Sequence, residues 1–272
     1  MKKTFLAFLS ILFVSSIAVA QLVAVKPIKK IITLTMPDGT GSNGASVVWH
    51  PVMKKYYAAF AGNVSYPLAV FDATGKRLSA DELETMVDLR GMWYNTGSKK
   101  IEANSYDEGG WISYTLNTKG IPQDIVQLMD GMVQPDAQSV GVFDAAKKRI
   151  SFLKEGSVYS YSLKGVAADD VIELKRIGPE IVEEELEDEE EMEEVSDGYN
   201  ATSLCYTGIA NAEFAILNYN LMQIELYNRK GMMTKAFKVP DGITVYTNFN
   251  FAYANGIWWL FDKEAREWNG YK

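Results

Sequence analysis

Four short phrases repeat along the sequence at nearly constant spacing: FDATG at residues 71–75, LNTKG at 116–120, YSLKG at 161–165 and YNRKG at 227–231. The closing glycines of the first three phrases are 45 residues apart, and the fourth follows the third after 66 residues. Each phrase lies between two apolar or alternating segments, which is the pattern of an antiparallel hairpin. A fixed period of this length indicates a chain built from one repeated supersecondary unit.

Each unit contains the pattern of four short β-strands. The first strand is apolar, as in 46–49 or 140–143, and the second is rich in aromatic residues, as in 56–60 or 150–153. The third alternates, as in 111–116, and the fourth follows the glycine turn. Four strands in about 40–50 residues is the content of one blade of a β-propeller.

The two ends of the chain complete the count of units. The last unit begins near Asn248 and has room for three strands before Lys272, while one strand, Lys30–Met36, stands alone near the N-terminus. The same Pro-Asp-Gly follows that strand at 37–39 and the fourth strand of the preceding unit at 240–242. We therefore predict that Lys30–Met36 completes the last unit and closes the ring, because an open ring leaves unpaired sheet edges.

The prediction is an all-β fold, a five-bladed β-propeller of four-stranded antiparallel blades that occupies residues 30–272 as one domain after a leader at 21–29. The inner strands are predicted near Val47, Met92, Val140, Leu204 and Phe251. The units resemble blades of the broad β-propeller superfamily, in the style of kelch, NHL and YVTN-type repeats, but they lack the Trp-Asp dipeptide and the kelch Gly-Gly pair. The resemblance implies a ligand-binding scaffold, a docking surface or an enzyme, so it implies the fold rather than an activity.

The first twenty residues have the pattern of a secretory signal peptide. Lys2 and Lys3 precede an apolar run from Phe5 to Val19, and Ala18-Val19-Ala20 provides a small-x-small cleavage pattern before Gln21. The alternative is a membrane anchor, but the run is shorter than the roughly 20 residues that a spanning helix needs. We expect an exported protein, periplasmic or secreted, without stable membrane insertion.

Charge and residue usage exclude several function classes. The chain has 27 Lys and Arg against 35 Asp and Glu, a net charge of −8, and losing Lys2 and Lys3 makes the balance more acidic. Such a charge disfavours nucleic acid and anionic membrane as partners. The single histidine, His50, and the single cysteine, Cys205, disfavour a multi-histidine metal site, a Ser-His catalytic pair and an internal disulfide. We expect no metal and no cofactor.

An acidic insertion at about 179–196 explains the longer third spacing. From Glu183 to Glu194, ten of twelve residues carry a carboxylate. Binding of calcium or of a basic partner is one interpretation, but the Asp-x-Asp-x-Asp-Gly spacing of a calcium loop is absent. The composition favours a solvated, largely disordered insertion.

The connections between blades are predicted to open on one face of the ring, beside the central channel. They are rich in short polar side chains, which suit a polar ligand such as a glycan, although turns need the same residue types. Tyr66 and Trp111 occupy equivalent positions before the third strand, where an aromatic ring either stacks on a sugar or packs between blades. The candidate binding residues are Asn43, Tyr66, Arg90, Trp111, Gln134, Asp136, Asn200 and Asn248.

The sequence favours a non-catalytic exported binding protein that recognises a glycan or another envelope protein through this face. One alternative is a glycoside hydrolase, which needs carboxylates about 5–10 Å apart at the channel mouth. Asp88, Asp136 and Asp197 are its candidates, each near the start of an inner strand, and no motif supports them. The other alternative is a structural protein-interaction module.

Overall fold

The computed structural model describes residues 24–176 and 197–272. The predicted signal peptide and the acidic run from Glu183 to Glu194 lie outside the described residues. Within the described ranges the chain forms β-strands and one 3-10 turn at Asp107–Gly109, and none of these residues belongs to a helix long and apolar enough to cross a membrane.

The strands form five separate sheets. The first blade contains β3 (Gly44–His50), β4 (Lys55–Phe60) and β5 (Leu68–Asp72), and the second contains β6 (Leu89–Asn95), β7 (Lys100–Ser105), β8 (Trp111–Leu116) and β9 (Pro122–Met129). The third contains β10 (Val142–Asp144), β11 (Arg149–Lys154), β12 (Ser157–Ser162) and β13 (Ile172–Glu173). The fourth contains β14 (Cys205–Tyr206), β15 (Phe214–Asn218), β16 (Gln223–Tyr227) and β17 (Met233–Lys238), and the fifth contains β18 (Phe251–Ala254), β19 (Ile257–Asp262), β20 (Glu267–Tyr271) and β2 (Lys30–Thr35).

The five inner strands form a closed ring around a central axis. β3 contacts β6 and β18, β10 contacts β6 and β14, and β14 contacts β18. A Ser46 hydroxyl that donates to the Met92 carbonyl at 3.1 Å joins two of these strands. The predicted five-bladed all-β propeller is therefore confirmed.

The N-terminal strand completes the last blade, as predicted. β2 pairs antiparallel with β20, with Lys30 opposite Tyr271 and Thr35 opposite Glu267. The Thr33 hydroxyl donates to Asn269 Oδ1 at 3.1 Å across this pair, and Leu34 is fully buried. β2 pairs with the edge of β20 that would otherwise be unpaired. The fifth blade thus combines strands from the beginning and the end of the propeller and closes the ring.

Two details differ from the expected blade plan. Residues 25–27, expected to belong to a leader, form strand β1 (Val25–Pro27), which adds in parallel to the outer edge of β17. In the first blade the fourth position lacks a regular strand and is held by the Pro67–Glu84 bridge and by the bond from Leu78 N to Val70 O at 2.7 Å. Both elements are short and lie at sheet edges. Apolar and polar residues alternate only weakly there, so the sequence pattern does not define these strands.

Neighbouring blades pack through large aromatic side chains. Tyr56 of the first blade lies 5.1 Å from Trp259 of the fifth between ring centroids. Trp111 of the second blade lies 6.3 Å from Phe152 of the third. These contacts form a core between each pair of blades rather than one central core.

The ring has two faces with different chain segments. We call the end where the inner strands begin the loop face; it carries the connections between blades and the turns between second and third strands. We call the opposite end the hairpin face; it carries the turns between first and second strands and between third and fourth strands.

Candidate functional site

Most of the predicted polar residues of the loop face hold blades together. Asn200 is fully buried; its Nδ2 donates to the carbonyls of Tyr246 at 2.8 Å and Phe249 at 2.9 Å, and its Oδ1 accepts from Ser203 N at 2.9 Å. It therefore joins the start of the fourth blade to the connection that leads into the fifth. Its Oδ1 also accepts from Thr202 N at 3.3 Å, and an amide with four such bonds has no group left for a ligand.

Arg90 and Gln134 are also buried and bonded. Arg90 forms an ion pair with Asp88, and its Nε donates to Gln138 Oε1 at 2.8 Å. Gln134 accepts from Asn104 Nδ2 at 2.6 Å and donates to the Ser105 carbonyl at 3.1 Å. The structure thus corrects the expectation for Arg90, Gln134 and Asn200, because buried polar groups must be bonded internally.

The two repeat aromatics do not form exposed stacking platforms. Trp111 is 2% exposed and packs against Trp93 and Phe152, so the alternative of packing between blades describes it. Tyr66 is half-buried, and its ring lies against Gly41 and Gly62. Both glycines have a positive φ, and a side chain on either would collide with the ring.

Two predicted residues of the loop face do come together. Asp136 and Asn248 are exposed and line one shallow pocket of about 280 Å³. Gln138, Lys154 and Glu155 complete its polar wall. Asn43 lies apart from this pocket and accepts from the Asn250 side chain at 3.2 Å.

The three candidate catalytic carboxylates have separate local partners. Asp88 is paired with Arg90, and Asp197 is paired with Arg176. Asp136 accepts the Gln138 backbone N–H at 2.8 Å, as in an ordinary turn. Across residues 24–176 and 197–272, no group of three His, Cys, Asp or Glu side chains is placed to hold a metal.

Phe249 closes the central channel at the loop face. It comes from the connection between the fourth and fifth blades, yet it packs with Ala45, Leu89 and Val140, which lie at the starts of the first three inner strands. The Arg90 guanidinium lies 6.0 Å from its ring centroid. Its place in one buried cluster with residues of the first three blades puts it near the axis at this end.

The backbone at Phe249 and Asn250 is strained and is held by several hydrogen bonds. Phe249 and Asn250 have φ of 49° and 62°, a conformation that costs a non-glycine residue roughly 1–2 kcal/mol. The Phe249 N–H donates to the Thr202 hydroxyl at 2.8 Å, and Asn250 Oδ1 accepts from Gly44 N at 2.7 Å. Strain held by several bonds marks a position that the fold constrains tightly.

A cavity of about 280 Å³ follows the axis toward the hairpin face. All five inner strands contribute to its wall, and none of the described residues that line it carries a charge. Since Phe249 closes the other end, the cavity is blind. Each blade places at least one aromatic residue along its wall: Trp49, Trp93 and Tyr94, Phe143, Tyr206, and Phe251 and Tyr253.

The aromatic wall comes from equivalent positions of the repeat. Trp49, Tyr94 and Phe143 each occupy the last but one paired position of their inner strand, opposite Tyr56, Ile101 and Ile150. Trp49 and Tyr94 are 45 residues apart, so the repeat spacing alone indicates that the two aromatic residues occupy equivalent positions. The sequence alone could not show that the rings meet around a closed-off channel.

His50 beside the cavity and the titratable groups Tyr253 and Cys205 of its wall are neutral at physiological pH. Burial lowers the pKa of His50, whose Nδ1 accepts from Met53 N at 3.2 Å and whose ring lies 4.7 Å from that of Tyr94. Burial raises the pKa of Tyr253 and of the Cys205 thiol in the wall. The cavity therefore suits an uncharged group.

Solved structures confirm the architecture. The glutaminyl cyclase of Myxococcus xanthus matches 91% of this chain and 96% of its own, with 9% sequence identity and a TM-score of 0.55. The chain is a β-propeller. At this identity the likeness shows the fold alone.

Other propeller matches are more distant. A chain of a nidogen/laminin complex covers 81% of this propeller and 73% of its own length at 10% identity and a TM-score of 0.42. Streptogramin B lyase covers 86% and 65% at 14% identity and a TM-score of 0.40. Scores this low carry no argument about function. No protein-family model matches the propeller, and no curated protein matches it significantly.

Proposed function

We propose that this propeller is a non-catalytic binding protein of the bacterial envelope or exterior, and that its central cavity receives one ring of a glycan. The observation that carries the proposal is the blind, uncharged cavity with at least one aromatic residue from each blade. The apolar face of a sugar ring stacks on aromatic rings, while tyrosine hydroxyls form hydrogen bonds with the hydroxyl groups at its edge. The envelope location rests on the signal-peptide pattern of residues 1–20.

The size of the cavity limits what enters it. At about 280 Å³ it lies near the lower end of small-molecule sites, which span roughly 300–1,000 Å³. It accommodates one ring, so the remainder of a longer glycan would lie across the hairpin face. The site differs from the loop face that the sequence favours.

A glycan array followed by fluorescence titration tests the proposal. Trp49 is half-buried and Trp93 is buried in the cavity wall, whereas the other four tryptophans are buried elsewhere. A sugar in the cavity should shift Trp49 emission, and Trp49→Ala should weaken binding by about tenfold, equivalent to roughly 1.4 kcal/mol. Leu221→Ala, an exposed change on the loop face, is the control. Unchanged affinity in Trp49→Ala would refute the cavity as the site.

The loop-face pocket is the second candidate site, because Asp136 and Asn248 line it together. Asp136→Ala and Asn248→Ala should leave affinity unchanged if the glycan enters the cavity. Loss of binding in these variants, with normal binding in Trp49→Ala, would move the site to the loop face.

The remaining alternatives have their own readouts. Hydrolysis of a bound sugar, lost in Asp88→Asn, Asp136→Asn or Asp197→Asn, would establish a glycoside hydrolase. Absence of binding to any glycan would refute the proposal and favour an envelope protein as partner, to be sought by pull-down from the envelope fraction.

A further inference from the structure

The hairpin face is basic although the chain as a whole is acidic. The turns of this face bring together cations from all five blades, against fewer carboxylates, Asp72, Asp81, Asp144, Asp169, Asp170 and Glu213. The cations are Lys29, Lys54, Lys55, Lys76, Arg77, Lys99, Lys100, Lys119, Lys147, Lys148, Arg149, Lys164, Arg229, Lys230 and Lys272.

The loop face has the opposite balance. Within the described ranges, its turns carry few cations, of which Arg90 and Arg176 are already paired with Asp88 and Asp197. Its carboxylates are Asp38, Asp88, Asp107, Glu108, Asp130, Asp136, Glu155, Asp197, Asp241, Asp262, Glu264 and Glu267. The net charge of −8 therefore conceals two faces of opposite sign, and a ligand meets the local potential rather than the net charge.

The lysines on the hairpin-face turns form no ion pairs with carboxylates among the described residues. The ion pairs of these turns belong to arginines: Arg77 with Asp81, Arg149 with Asp170, and Arg229 with Asp144. Lys76 lies near Asp72 and Lys147 near Asp170, but the cations outnumber the carboxylates of this face, and like charges repel one another.

Three of these lysines also occupy a backbone conformation that disfavours them. Lys54, Lys99 and Lys148 end the turn after the inner strand in the first three blades, with φ of 53°, 60° and 52°. Glycine or asparagine adopts this conformation at much lower cost. Lysine stands in this conformation in three neighbouring blades, whereas the corresponding turns of the other two blades carry Asn211 and Asn255. We call Lys54, Lys99 and Lys148 the lysine collar.

The collar lies on the turns of three neighbouring blades whose inner strands line the cavity. Each collar lysine follows an aromatic wall residue of its own blade by five residues: Trp49 and Lys54, Tyr94 and Lys99, Phe143 and Lys148. Pro51, within the first of these turns, itself lines the cavity. Cations and recessed aromatic rings are therefore combined in one site.

From this arrangement we infer that the hairpin face binds an anionic glycan, a sugar chain bearing carboxylate, phosphate or sulfate groups. The inference rests on the proposed function and adds the charge class of the ligand. One ring enters the uncharged cavity, and the collar neutralises anionic groups of that ring and its neighbours. A flat anionic membrane fits less well, because the aromatic rings line a cavity instead of projecting from the turns.

The test measures binding to polygalacturonate, with uncharged dextran as the reference polymer, across a range of salt concentrations. Affinity for polygalacturonate should fall steeply with salt, because each neutralised charge releases a counterion. The variant Lys54→Gly/Lys99→Gly/Lys148→Gly should bind about tenfold more weakly at low salt. The slope of log affinity against log salt should decrease by about two, at somewhat less than one per charge.

The glycine variants also control for folding. Glycine accepts a positive φ, so the melting temperature of the triple variant should not fall. Met222→Gly changes a turn of the same shape on the loop face, where φ is 52°, and should leave polygalacturonate binding unchanged. A loss of affinity that accompanied a loss of stability would be repeated with Lys→Asn, which also tolerates this conformation.

The outcomes separate this inference from the proposed function. One outcome is that neutral glycans bind in a way that depends on Trp49 but not on salt or on the collar lysines. That result would refute an anionic ligand and would still support the cavity as the binding site. Equal binding of polygalacturonate, DNA and anionic vesicles, unaffected by Trp49→Ala, would show unspecific attraction to polyanions and refute the inference. Binding of no glycan would refute both.

Discussion

At the residue scale, buried polar side chains link blades that are distant in sequence. Asn104 donates to Gln134 and to the Ser139 carbonyl, and its Oδ1 accepts from Gly141 N at 3.0 Å. Of these residues, the sequence predicted only Gln134 as a ligand contact, because polar side chains are common in loops. Their real role is to satisfy backbone groups where one blade meets the next.

We predict that Asn104→Ala lowers the free energy of unfolding by about 1–3 kcal/mol, because the Gly141 N–H is left buried without its acceptor. Urea denaturation measures the change. Asn248→Ala, at an exposed position, should change stability by less than about 0.5 kcal/mol. Equal stability of Asn104→Ala and the wild type would contradict the linking role.

His50 should give the propeller a defined pH dependence. Burial lowers its pKa below the ordinary value of 6.5, so the folded state binds a proton less readily than the unfolded state. The penalty is absent above pH 6.5 and grows as the pH falls toward the folded pKa. His50 is the only histidine, so urea midpoints at pH 7.5 and 5.5 report mainly on it.

We expect His50→Asn to reduce that loss of stability between pH 7.5 and 5.5. Asparagine already occupies the equivalent position, Asn95, in the second blade. The same pH slope in both proteins would show that other groups cause it.

At the element scale, β2 is the strand on which closure depends. It is contributed by the opposite end of the chain and buries Leu34 and Met36 against the first and fifth blades. β1 pairs only with the outer edge of the fourth blade, and its three residues are exposed. The two strands are close in sequence and very different in burial, so they can be compared by truncation.

A protein that begins at residue 37 should be strongly destabilised. Loss of Leu34 and Met36 alone removes about 3–6 kcal/mol of apolar burial, and the ring is opened as well. A protein that begins at residue 28, without β1, is the matched control and should lose far less. Thermal denaturation of both proteins measures this, and equal melting temperatures would contradict closure by β2.

At the scale of the whole molecule, the propeller is a rigid ring whose faces differ in charge and shape. The loop face is acidic and closed by Phe249, and the hairpin face is basic and opens into the cavity. A rigid scaffold that presents a preformed site pays little ordering cost when it binds a ligand.

The acidic insertion is predicted to be dispensable for this ring. Arg176 and Asp197, which flank it, form an ion pair, so a short glycine linker can join them. Deleting 179–196 should change the melting temperature by less than about 2 °C, and calcium should have no effect on either protein. A calcium-dependent rise confined to the intact protein would instead establish a structural metal site.

The repeat, the number of blades and the closing strand were determined by the sequence itself. Strand alternation and turn glycines are local signals, and a 45-residue period repeats them often enough to identify the unit. The position of the site was decided only by tertiary structure. Phe249 joins the cluster at the axis from another blade's connection, and Trp49, Tyr94 and the turns that carry the lysine collar come to one end of the molecule only when the ring closes. Contacts between residues far apart in sequence leave no local pattern, so neither the closed end of the channel nor the charge of each face could be deduced from the sequence.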